Sequence, residues 1–158
     1  MSAPRRRTLI LLAVAVAVVA RIALGVLTWS PGWSALTWDD FTRVTIATEW
    51  AQVPFWFNGY VWLPLPVWFT GSIYAIAGDW FASSPMALMA IINSTAVFIA
   101  SIVTAWSAHR LFNDTIGTLA VFVVVLFAPW NYFLSLSGLA EPLYFVAISV
   151  AAAGLVGW

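Results

Sequence analysis

The chain has 158 residues, of which 63% are hydrophobic and only 8% are Asp, Glu, Lys or Arg. Soluble domains carry roughly a quarter charged residues, so this chain lacks the polar surface needed to cover a water-facing globule. Six arginines balance six acids, which leaves no basic stripe for a nucleic-acid backbone, and the absence of cysteine removes disulfides and thiolate metal sites. The composition is that of an integral membrane protein.

A helical span needs about 20 apolar residues to cross a hydrocarbon core of roughly 30 Å. The first stretch that meets this is 8–28, which follows Arg5, Arg6 and Arg7. Positive flanks stay in the cytoplasm, so the N-terminus is expected there, with 8–28 as a first span rather than a cleaved signal. Arg21 lies near the outer end of this run. A charge at that depth either snorkels to the interface or pairs with an acid of the outer face.

An aromatic connection then leads to Asp39 and Asp40, where a helix over 39–52 is expected. Paired carboxylates at a membrane surface can supply a general base or hold a divalent cation through oxygen ligands. The same acids also suit a helix start, since Thr37 and Asp40 have capping-box spacing and acids in a first turn complement the helix dipole. Arg43 shares their helical face, so it either pairs within the helix or contacts a lipid phosphate. Glu49 is expected to face solvent or headgroups.

The apolar stretch 61–77 contains Pro64, Pro66 and Gly71. It is short and broken, which fits a juxtamembrane or re-entrant helix. The topology follows from this reading. If 61–77 does not cross, His109 and Arg110 fall in a cytoplasmic loop between spans at 86–108 and 115–134. Residues 29–85 then form one outer region, and the loop before the last span (139–158) also faces outward. Glu141, beside Pro142 at the start of that span, would share a side with Asp39 and Asp40. Its alternative role is a helix-start signal. Asn93 reads as helix–helix glue, and Asp79 and Asp114 as loop or cap residues.

The carrying residues are Arg21, 38–43 (Trp-Asp-Asp-Phe-Thr-Arg), 62–66 (Trp-Leu-Pro-Leu-Pro), 109–112 (His-Arg-Leu-Phe) and 139–142 (Leu-Ala-Glu-Pro). In this order they resemble the GT-C superfamily of membrane glycosyltransferases, in the protein-O-mannosyltransferase and aminoarabinose-transferase branch. The resemblance covers nearly the whole chain but only the N-terminal portion of the family, and the family's usual Asp-Glu pair is Asp39-Asp40 here. It implies an all-α, polytopic bundle of about four spans with juxtamembrane helices in the first outer loop, forming one membrane domain of a longer protein. It also implies a bacterial or archaeal plasma membrane and an extracytoplasmic active site.

The implied donor is a polyprenyl-phosphate sugar, and the acceptor a hydroxyl on a lipid, glycan or protein. Asp39 would be the base, with Asp40 and Glu141 positioning the acceptor or a divalent metal ion. Arg43, and with it Arg21, would serve the phosphate. Two other classes remain open: a transporter or channel fragment, whose charges would sit near the bilayer midplane, and a non-catalytic assembly subunit whose acids only cap helices.

Overall fold

The structure, a computed structural model, describes residues 3–29, 38–56 and 64–157, with side chains from residue 8 onward. Thr37 of the expected capping box, Trp62 and Leu63 of the proline-rich element, and the side chains of Arg5 to Arg7 lie outside the described residues. All regular structure among the described residues is helical. In chain order the helices are α1 (Ala3–Thr28), α2 (Trp38–Gln52), α3 (Pro64–Ala77), a short 3-10 turn (Gly78–Phe81), α4 (Pro85–Phe112), α5 (Thr115–Phe127), α6 (Pro129–Leu136) and α7 (Glu141–Gly157).

Among the described residues, two helices are long and apolar enough to cross a membrane: Thr8–Thr28 within α1, and α4. The first is apolar on nearly every side, with Leu11, Val16, Val19, Ile22, Val26 and Leu27 all exposed, as a lipid-facing helix should be. The second begins at Pro85, whose fixed φ and missing N–H suit a first helical position. It ends where Asn113 takes a left-handed conformation (φ 48°) and donates its N–H to the His109 carbonyl. Asn tolerates that conformation better than most residues. Asp114 then caps α5, accepting from the N–H groups of Ile116 and Gly117 at 3.0 and 2.9 Å, so it is the cap residue its position suggests.

The expected span 115–134 is not one helix. It is α5 and α6, bent by 48°. Pro129 disfavours the helical conformation at the residue before it, and Ala128 accordingly takes φ −50°, ψ 129°. Asn131 Nδ2 donates to the Val125 carbonyl across the break at 2.8 Å. The last helix, α7, has 17 residues among those described, at the lower limit for a span. Counting the bent pair as one, up to three helices among the described residues are long and apolar enough to cross.

The stretch expected to be broken forms a regular helix. With 14 residues, α3 is about 21 Å long, short of the hydrocarbon core. Its prolines lie in the first turn, where they cost least. Gly71 is not a breaker but the seat of a neighbouring helix: a Cβ there would fall 2.6 Å from the Trp50 ring of α2.

Packing forms two layers. One core joins Val44 and Ala47 of α2, Tyr74 of α3, and Leu88, Met89 and Ile92 of α4. The other joins Ala17 of α1, Ala105 of α4, and Phe122 and Leu126 of α5. The non-helical linker 137–140 lies against Asp40 of α2 and Asn93 of α4, and the candidate site is built against it.

Candidate functional site at the α2–α7 junction

The first turn of α2 carries Asp39 and Asp40. Asp39 is exposed, whereas Asp40 is completely buried. The reason is contact with the linker. The Asp40 backbone lies against Gly138, where an added Cβ would sit 2.6 Å from the Asp40 carbonyl oxygen and 2.9 Å from its Cα. No side chain fits there.

Three residues further along α2, Arg43 Nη1 approaches Glu141 Oε2 at 3.8 Å. Arg43 thus reaches from α2 across to the first turn of α7. Since Arg43 is about one turn from Asp40, the acids of α2 and Glu141 belong to one junction. Arg43 is mostly buried (16% exposed) and Glu141 half exposed (47%), so the pair marks geometry more than it stabilises: partly exposed pairs contribute roughly 0–1 kcal/mol.

The linker is held from the other side by α4. Asn93 Nδ2 donates to the carbonyls of Ser137 and Leu139 at 2.7 and 2.8 Å, and Ser94 Oγ donates to the Ser135 carbonyl at 3.1 Å. Two facing carbonyls fix the amide orientation, because a flipped Asn93 would set three acceptors together. Ser137 Oγ donates to the Leu134 carbonyl (2.9 Å) and accepts from the Leu139 N–H (3.3 Å). Asn93 therefore joins a helix to a linker rather than a helix to a helix. Beside it lies a cavity of about 20 Å³ lined by Arg43, Pro66, Thr70, Asn93, Gly138 and Tyr144, the size of a single hydroxyl or water.

Arg21 is elsewhere. It is buried (7% exposed) on α1, and none of the six acids, all among the described residues, pairs with it. Its Nε donates to the Leu126 carbonyl at 3.3 Å, its Nη2 donates to Ser135 Oγ, and its guanidinium carbon lies 4.3 Å from the Tyr132 ring centre. Of the two roles expected for Arg21, snorkelling and pairing with an acid, neither is seen: it is buried among neutral acceptors and an aromatic face. Tyr132 in turn donates to the Leu24 carbonyl (3.0 Å) and meets Thr28 Oγ1, so α6 is clamped to the C-terminal end of α1.

Of the residues suggested as metal ligands, Asp40 is buried and Glu141 has Arg43 Nη1 at 3.8 Å from its Oε2; among the described residues no group of three or more His, Cys, Asp or Glu converges.

Gly138, Asn93 and Ser135 are the site residues that sequence reasoning passed over or assigned otherwise. Their only signal was the run of small polar residues (Asn93-Ser94 and Ser135-Leu136-Ser137-Gly138) inside apolar surroundings. Compared with known proteins, the chain matches no family model, no curated protein and no solved structure.

Proposed function

We propose that the α2–α7 junction is part of the active site of a membrane glycosyltransferase. The enzyme takes a sugar from a polyprenyl-phosphate donor and passes it, with inversion, to an acceptor hydroxyl at the extracytoplasmic face. The observation that carries this reading is the meeting of Arg43 with Glu141 at 3.8 Å, one turn from an acidic pair whose first member is exposed. A general base must be reachable by the proton it removes, and Asp39 is reachable while Asp40 is enclosed.

In this reading Asp39 takes the acceptor proton as the hydroxyl oxygen attacks the anomeric carbon. The bond from that carbon to the phosphate oxygen breaks, and polyprenyl phosphate leaves with the bonding electrons. Arg43 offers a guanidinium to the leaving phosphate, with Glu141 holding it in place. No step is routed through a metal. The wider expectation of a four-span bundle with a cytoplasmic N-terminus belongs to the same proposal.

The test uses membranes containing the complete gene product and a radiolabelled polyprenyl-phosphate sugar. Asp39→Asn combined with Asp40→Asn should abolish transfer to a hydroxyl acceptor. Unchanged transfer would remove the acidic pair from the mechanism.

One observation favours a second reading. The 48° break between α5 and α6 is the kind of discontinuous helix that transporters use to line a pathway. Single cysteines at positions 39 and 141 separate the two: labelling by a membrane-impermeant reagent from the outer face supports the enzyme, and protection at bilayer depth supports transport.

A further inference from the structure

Arg21 carries a full charge that the chain does not neutralise. Its partners are a carbonyl, a hydroxyl and an aromatic ring, all of them neutral. Such a charge within a spanning helix is costly unless a counter-charge or water meets it. One of its nitrogens, Nη1, donates no hydrogen bond among the described residues; it lies 3.5 Å from where a Cβ on Gly25 would be. The side chain thus climbs one turn outward along its own helix.

It climbs into a groove of about 560 Å³ between α1 and α4, bordered by Arg21, Gly25 and Trp29 on one side and by Ala90, Ser94 and Phe98 on the other. A second donor stands at its outer end: the Trp29 indole N–H is buried and has no acceptor among the described residues. The remaining lining is almost wholly apolar. An uncompensated cation and an unused N–H at one end of an apolar trough are complementary to an amphiphile with an anionic head.

We infer that this groove holds an anionic phospholipid of the outer leaflet, its phosphate accepting from Arg21 Nη1 and the Trp29 indole, one acyl chain lying along α1 and α4. The groove is separate from the acidic junction. Leu136 lines it, whereas Gly138, two residues on, faces Asp40, so the linker stands between the two. The bound lipid is retained rather than consumed, and the inference takes only the orientation of α1 from the proposed function, not the transfer chemistry.

The experiment reconstitutes the full-length protein in phosphatidylcholine vesicles containing a small fraction of phosphatidylglycerol with a photoreactive acyl chain. After illumination, adducts are mapped by mass spectrometry. They should concentrate on peptides covering 18–29 and 87–98 and fall at least fivefold in Arg21→Gln. Gly25→Phe fills the groove from the face of α1 beside Arg21 Nη1, so it should lower labelling while a cooperative melt in detergent shows that the fold is kept, even if Arg21→Gln folds poorly.

Adducts spread evenly over the outward faces of α1, or equal labelling of wild type and Gly25→Phe, would overturn the site. So would displacement of the probe by stoichiometric polyprenyl phosphate but not by unlabelled phosphatidylglycerol, which would assign the groove to a different lipid. Labelling is read without any sugar transfer, so failure of the transferase assay and failure of this site are separate results.

Discussion

Asp40 and Gly138 touch backbone to backbone: a β-carbon at position 138 would fall 2.6 Å from the Asp40 carbonyl oxygen and 3.0 Å from its carbonyl carbon. The atoms in the way are main chain and cannot rotate aside. Gly138→Ala should therefore push α2 off the linker and cost about 1–3 kcal/mol, as overpacking generally does. Thermal unfolding in detergent measures it. A variant as stable as wild type, with Arg43 and Glu141 still crosslinkable, would show that the contact is looser than described.

The Arg43–Glu141 pair makes the opposite prediction. Because Glu141 is 47% exposed, breaking the pair should cost no more than about 1 kcal/mol. If Arg43 serves the leaving phosphate, Arg43→Gln should nevertheless lower transfer by at least tenfold, through kcat more than KM. A variant that loses stability and activity in parallel would make Arg43 a structural residue only.

These relationships divide into what one sequence can and cannot reveal. Continuous apolar runs announce α1 and α4, since a spanning helix must satisfy its own backbone and can be read locally. The α5–α6 break is less legible because hydropathy averages over a window, while Pro129 acts on a single residue. The linker contacts are less legible still. Asn93 and Ser137 are 44 positions apart, and Arg21 and Ser135 are 114 apart. Pairing with an acid is one of two roles open to Arg21, but a guanidinium can donate to any fixed array of oxygens and lie on an aromatic face, and nothing local to Arg21 specifies which. The proximity of Glu141 to α2 was accessible only through the topological argument from His109 and Arg110, one step removed from contact.

Tyr74 offers a test by pH. Its hydroxyl donates to the Pro85 carbonyl at 2.6 Å, and its ring is buried in the core shared by α2, α3 and α4. Burial pushes the phenol pKa well above its ordinary value of 10.0, against a smaller opposing effect of the Met89 backbone. The folded state thus favours the protonated form more than the unfolded state does. That stabilisation is complete below the unfolded pKa and is lost as pH rises from there toward the folded one. Wild type should weaken progressively above about pH 10, and Tyr74→Phe should show a flatter alkaline limb while losing the Pro85 hydrogen bond at neutral pH. Identical alkaline limbs for the two proteins would mean that Tyr74 is not the titrating group.

Pro129 is the last point at which sequence dictates the site. By ending α5 it turns α6 toward α1, which brings Tyr132 to the Leu24 carbonyl and Ser135 to Arg21. That turn also aims the linker at Asp40. Pro129→Ala restores a backbone N–H and relieves Ala128, so the two helices become free to run on as one from 115 to 136. Straightening would carry Tyr132 and Ser135 off α1 and leave Arg21 with fewer acceptors. The chain has no cysteine of its own, so cysteines placed at 28 and 132 and bridged by a bifunctional thiol reagent as long as a tyrosine side chain report this contact, since Thr28 and Tyr132 meet through their hydroxyls. Crosslinking should be efficient on the wild-type background and drop severalfold with Pro129→Ala. Undiminished crosslinking would show that the contacts of Arg21 with Leu126 and Ser135, rather than the proline, hold the bend.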